Sequence, residues 1–114
     1  MSDLQRIKDK LINDERIEAL LEAIGCEYIK TEQRGYLTVA QLPERFYSTN
    51  KRSVQVKANE SMSCSIRSKG DFNGDVFNLV SYIHFDKRGA DIQLDLHNAK
   101  EFICNLFGWT QFLK

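Results

Sequence analysis

Residues 42–82 read LPERFYSTNKRSVQVKANESMSCSIRSKGDFNGDVFNLVSY, and the change of period along them sets the fold class. Val54 and Val56 point to one side of an extended segment, with Gln55 and Lys57 on the other. Ala58-Asn59-Glu60-Ser61 then turns the chain into a second extended segment, from Met62 to Arg67. After Asn73-Gly74 the apolar positions Val76, Leu79, Val80 and Ile83 recur at helical spacing. A strand pair that runs through a glycine turn into a helix belongs to a sheet with helices packed against it. Pro43 has no amide hydrogen to give a ladder, so the polar run from Glu44 to Arg52 is expected to be a loop.

Upstream, Leu4, Ile7 and Leu11 form one narrow apolar stripe, and Ile17, Leu20, Leu21 and Ile24 form a stronger one that Gly25 ends. Asn13-Asp14 either caps a second helix or lies on the wet face of one long helix. Between Cys26 and Gln41 the alternation of Tyr28 with Lys30 and of Leu37 with Val39, around Gln33-Arg34-Gly35, predicts a hairpin. Downstream, Ile92, Leu94 and Leu96 suggest a short strand or extended segment. A closing helix follows, with Ala99, Phe102, Ile103 and Leu106 on one stripe and Gly108 at its end. The expectation is one α+β domain over residues 1–114, an antiparallel sheet of four or five strands with helices at both ends and Val54, Val56, Val76, Val80, Phe102 and Ile103 inside.

Composition narrows the function classes. A chain of 114 residues can bury one core but is small for an enzyme with a separate cofactor domain. No apolar run approaches the roughly 18 residues of a membrane span, and the charged N-terminus lacks the apolar centre of a secretory signal, so no membrane is expected and a cytoplasmic location is. Three separated cysteines, Cys26, Cys64 and Cys104, argue for free thiols. The net charge is zero, yet residues 30–70 hold eight basic residues against Glu32, Glu44 and Glu60, an excess of +5. Charge gathered on one segment suits a polyanion-facing surface, although such patches also serve solubility alone.

The element order, with Ser53-Val54-Gln55-Val56 on a strand, Gly74-Asp75-Val76-Phe77-Asn78 opening a helix and Asn98-Ala99-Lys100-Glu101-Phe102-Ile103 in a closing helix, resembles the N-terminal zinc-binding domain of bacterial and phage DNA primases. In that family Cys-Pro-x-His precedes the first of these strands and Cys-x-x-Cys lies on the second hairpin. Aligned on Ser53-Val54-Gln55-Val56, this chain has Glu44 and Tyr47 where the first cysteine and the histidine would stand, and only Cys64 near the knuckle. A structural zinc site is a closed shell of four ligands. The resemblance therefore implies a metal-free version, with no cofactor, in which apolar packing around Phe46 and Tyr47 replaces the zinc. His84 and His97 lack the paired spacing of ligands. Asp71 and Asp75 flank a turn, and a helix-capping role for Asp75 outweighs an acid–base pair. With no activated nucleophile, phosphate loop or acidic metal cluster, catalysis is not expected.

The resemblance implies a domain that contacts single-stranded DNA beside a replication protein, as a stand-alone accessory or severed primase module of a phage or mobile element. The candidate contacts are Lys30, Arg34, Arg45, Lys51, Arg52, Lys57, Arg67 and Lys69 for phosphates and Tyr47 for stacking on a base. The competing class is a protein-interaction module. Phe107, Trp109 and Phe112 would then be an exposed anchor for a partner or a second copy, where they do not pack on the chain's own core.

Overall fold

In a computed structural model, residues 3–67, 72–85 and 92–113 are described. Helices α1 (Asp3–Asn13) and α2 (Ile17–Ala23) come first, followed by strands β1 (Glu27–Glu32), β2 (Leu37–Gln41), β3 (Val54–Lys57), β4 (Cys64–Ile66) and β5 (Phe72–Gly74). Helices α3 (Val76–His84) and α4 (Ile92–Phe107) close the chain. The five strands lie side by side in chain order, each antiparallel to the next. The architecture is the expected α+β one, with N- and C-terminal helices flanking an antiparallel sheet.

Register gives the sheet two unlike faces. Thr38 pairs with Val56 and Ala40 with Val54, while Val54 faces Ile66 and Val56 faces Cys64. These side chains form one face, and except for Thr38 they join Ile7, Leu11, Leu20, Leu21, Phe77, Leu79, Val80 and Ile103 of the helices in one hydrophobic cluster. Phe77, with no exposed surface, is among the largest of the fully buried side chains. Of the six residues assigned to the interior, five are buried. Phe102 is only partly so, because it packs its ring on His84 at 4.2 Å at the rim of the core.

The local signals explain several joints. Gly25 ends α2 at φ 96°, where a side chain would be strained. At the start of α3 the Asn78 amide donates to Asp75 Oδ1 at 3.0 Å, and the Asp75 amide donates to Asn78 Oδ1 at 3.1 Å. This reciprocal cap satisfies two otherwise orphaned amides. It also accounts for Gly74, since a Cβ there would stand 2.9 Å from the folded-back Asn78 side chain.

Two expectations are corrected. Residues 92–96 are not a strand but the first turn and more of α4. Three alternating residues fit either period, and Leu96, Ala99 and Ile103 continue a helical stripe, so extending the helix adds a backbone bond per residue. The fifth strand lies instead at Phe72–Gly74, within a segment whose sequence reads as a turn. It exists through its pairing with β4, Ile66 against Phe72 and Cys64 against Gly74, where tertiary context overrides the poor strand propensity of Asn-Gly.

Candidate nucleic-acid interface

The second face of the sheet carries several of the candidate residues. Alternation puts Glu27, Lys30 and Glu32 of β1, Leu37, Val39 and Gln41 of β2, Gln55 and Lys57 of β3 and Ser65 of β4 on this side. Val39 lies between Lys30 and Gln55, and Leu37 between Glu32 and Lys57. Both apolar residues are buried, yet neither belongs to the main cluster. The long stems beside them cover apolar surface while their heads stay in water, so the face is apolar in its floor and cationic at its surface. Continuing the alternation past Ile66 brings exposed Arg67 to the same face, with its amide donating to the Ser53 carbonyl at 2.7 Å.

The loop between β2 and β3 is tied down at the margin of this face. Leu42 donates its amide to Ser53 Oγ at 3.0 Å, and the hydroxyl donates to the Ala40 carbonyl, so the buried serine is satisfied on both counts. Gln41 Nε2 donates to the Ser48 carbonyl at 2.7 Å, and the Arg52 amide donates to Asn50 Oδ1 at 2.9 Å. These bonds fix where Lys51 and Arg52 leave the backbone. Arg52 Nη1 then donates to Glu32 Oε2 at 2.7 Å, with Lys30 Nζ 3.7 Å from the same oxygen. The Arg52 hydrogen bond is the main reason the Glu32 carboxyl is held below its ordinary range. Lys51 Nζ lies 4.5 Å from the centre of the Tyr28 ring, a cation–π contact.

Three tyrosines are exposed, and two of them sit at left-handed backbone. Tyr47 is 84% exposed at φ 55°, and Tyr28 is 58% exposed at φ 54°, inside the register shift between Glu27 and Lys30. A bulky residue at positive φ is uncommon and costs free energy, which invites a functional reason. Tyr47 follows the single helical turn Glu44–Phe46, which is anchored where Phe46 stacks on Tyr82 of α3 at 5.7 Å and Arg45 covers Phe46 at 4.8 Å.

The structure therefore brings Lys30, Arg52, Lys57 and Arg67 to one face, with Lys51, Arg45 and Tyr47 on the adjoining loop. Arg34 is not among them. It occupies the β1–β2 turn at φ 57° and lines a cleft of about 520 Å³ on the helical side with Glu15, Glu18 and Ile17. Lys69 lies outside the described residues. Tyr28 and Glu32 adjoin these candidate residues without having been singled out in the sequence. A one-residue shift of register, unmarked by glycine or proline, exposes Tyr28, and the Glu32 partner Arg52 is 20 residues away in the chain.

The C-terminal aromatics are not an exposed anchor. Trp109 and Phe112 are 8% and 7% exposed and belong to the core cluster, with Phe107 packed against it. Nor does Tyr47 fill the place of a metal, since its side chain points to solvent; only Phe46 contributes packing there. Among the described residues no three His, Cys, Asp or Glu side chains gather as a metal cluster. His97 pairs with Glu101 at 3.4 Å, and His84 packs between Phe85 and Phe102. Burial pushes the Cys26 thiol up to about 12, with Arg45 opposing, and raises the thiols of Cys64 and Cys104 as well. All three are buried, with burial disfavouring the thiolate that metal binding and nucleophilic attack require. No helix among the described residues is long and apolar enough to cross a membrane. No protein-family model matches the chain, and no curated protein or solved structure matches it either.

Proposed function

We propose that the chain is a non-catalytic module that binds single-stranded DNA on the second face of its sheet and along the β2–β3 loop. One observation carries this reading: the face turned away from the hydrophobic core gathers Lys30, Arg52, Lys57 and Arg67, with an 84% exposed tyrosine on the tethered loop beside it. Cations neutralise phosphates and release their counterions, and an exposed ring stacks on any base that is not paired. A duplex offers no unpaired base to Tyr47, so a single strand uses more of the surface. The resemblance to primase zinc-binding domains points to the same ligand. Under it the module serves in the replication of a phage or mobile element, beside a polymerising partner, and the Phe46–Tyr82 contact helps hold the loop that a zinc ion holds in that family.

The test is titration of a labelled oligothymidylate at several salt concentrations. The reading predicts weak, sequence-tolerant binding that falls steeply with salt, and it fails if no binding occurs at low salt. It fails equally if binding survives unchanged when Lys51, Arg52, Lys57 and Arg67 are all neutralised.

A further inference from the structure

We propose that Lys30 and Arg52 form a phosphate subsite that Glu32 fills in the free protein, so that nucleic acid binds there by displacing an internal carboxylate. This rests on the single-strand reading and adds how two of its cations are held in the free protein. Both contacts go to one oxygen: Arg52 Nη1 lies 2.7 Å and Lys30 Nζ 3.7 Å from Glu32 Oε2. One anionic oxygen shared by a guanidinium and an ammonium is the arrangement that a non-bridging phosphate oxygen adopts with the same partners.

The elements around the trio favour exchange. Lys30 and Glu32 are on the same face of β1, two residues apart, so their backbones hold the anion beside the cation whatever the loop does. Arg52 is anchored through its amide to Asn50, while its side chain remains half exposed. The guanidinium can therefore turn to an incoming oxygen without moving the loop. Glu32 is partly shielded, but the Lys30 and Arg52 side chains are 71% and 50% exposed, so water screens the pair and its breaking costs little. A polyanion that supplies several phosphates at once replaces the carboxylate, whereas a single small anion gains too little to do so. Glu32 thus screens the face against isolated anions and leaves it open to a nucleic-acid backbone.

Glu32→Gln keeps the stem beside Leu37 and removes the charge. The expected result is oligothymidylate binding about two- to fivefold tighter at low salt, the range that exposed ion pairs span. The log–log salt dependence should also steepen by about 0.7, one more phosphate neutralised. Glu27→Gln, on the same strand and face and with the same change in net charge but without the contacts to Arg52 and Lys30, is the control and should give a smaller gain. In an Arg52→Gln background the advantage of Glu32→Gln over Glu27→Gln should vanish. Displacement is overturned if Glu32→Gln gives no gain, a gain equal to Glu27→Gln, or a gain that persists without Arg52. Failure of every variant and of the unaltered chain to bind at low salt overturns the single-strand reading itself.

Discussion

Lys57 and Arg34 are indistinguishable as charges in the sequence, but they lie on opposite sides of the sheet, and this predicts unequal effects on binding. The proposed interface holds Lys30, Arg45, Lys51, Arg52, Lys57 and Arg67 against the carboxylates of Glu27 and Glu32, a net of four positive charges. At about 0.7 per phosphate on a single strand, four neutralised phosphates give a log–log slope near −2.8, or roughly a 50-fold loss of affinity between about 50 and 200 mM salt. Lys57→Gln, which keeps most of the stem over Leu37, should reduce the slope to about −2.1 and the loss to roughly 20-fold. Arg34→Gln should leave the slope unchanged, because Arg34 lines the cleft on the helical side of the sheet together with Glu15 and Glu18. Fluorescence anisotropy of an end-labelled oligothymidylate over a series of salt concentrations measures both. Equal loss of slope in the two variants would refute the reasoning, since the charge would then act through the field of the whole protein and not through this face.

Other consequences are separable from that one. Tyr47→Gly should weaken single-strand binding by about 1–3 kcal/mol through lost stacking. It should not lower the thermal midpoint, because glycine accepts φ 55° without strain; a marked drop in stability would show that the ring serves the fold. Asp75→Ala removes the reciprocal cap of α3 and the 3.2 Å contact with Lys8. It should cost about 1–2 kcal/mol in urea unfolding, and an unchanged midpoint would sink the capping argument. The thiols of Cys26, Cys64 and Cys104 should resist a thiol reagent at about pH 8 in the native state and react together on unfolding, as buried groups with raised pKa values do. Fast labelling of the native protein would mean that at least one of them is accessible.

Much of the fold could be read from period and punctuation. The stripes Ile17-Leu20-Leu21-Ile24 and Val76-Leu79-Val80-Ile83 became buried helix faces, Gly25 took positive φ, and Asp75 capped α3. Each of these is a decision taken within one or two turns of chain, where local geometry and the neighbouring side chains settle the outcome. The alternation Val54-Gln55-Val56-Lys57 likewise assigned two side chains to the core and two to the other face before any partner strand was known. The charge of the candidate interface was visible only as an excess over residues 30–70, a sum that says nothing about faces.

Partition of that charge needed the tertiary structure. Whether Arg34 joins Lys30 depends on which way a turn of left-handed residues leaves the sheet, and Arg52 reaches Glu32 only because the loop is pinned by Gln41 and Asn50. Strand β5 exists through hydrogen bonds to β4, which no propensity of Phe-Asn-Gly supplies. Trp109 and Phe112 are equally apolar as anchor or as core, and the proximity of the helical cluster makes them core. The sequence alone determined what each segment prefers, because preference is set by dihedral cost and by the spacing of apolar side chains. Only the folded chain decided which distant groups meet, because register, loop tethering and burial are properties of pairs of segments and not of either one.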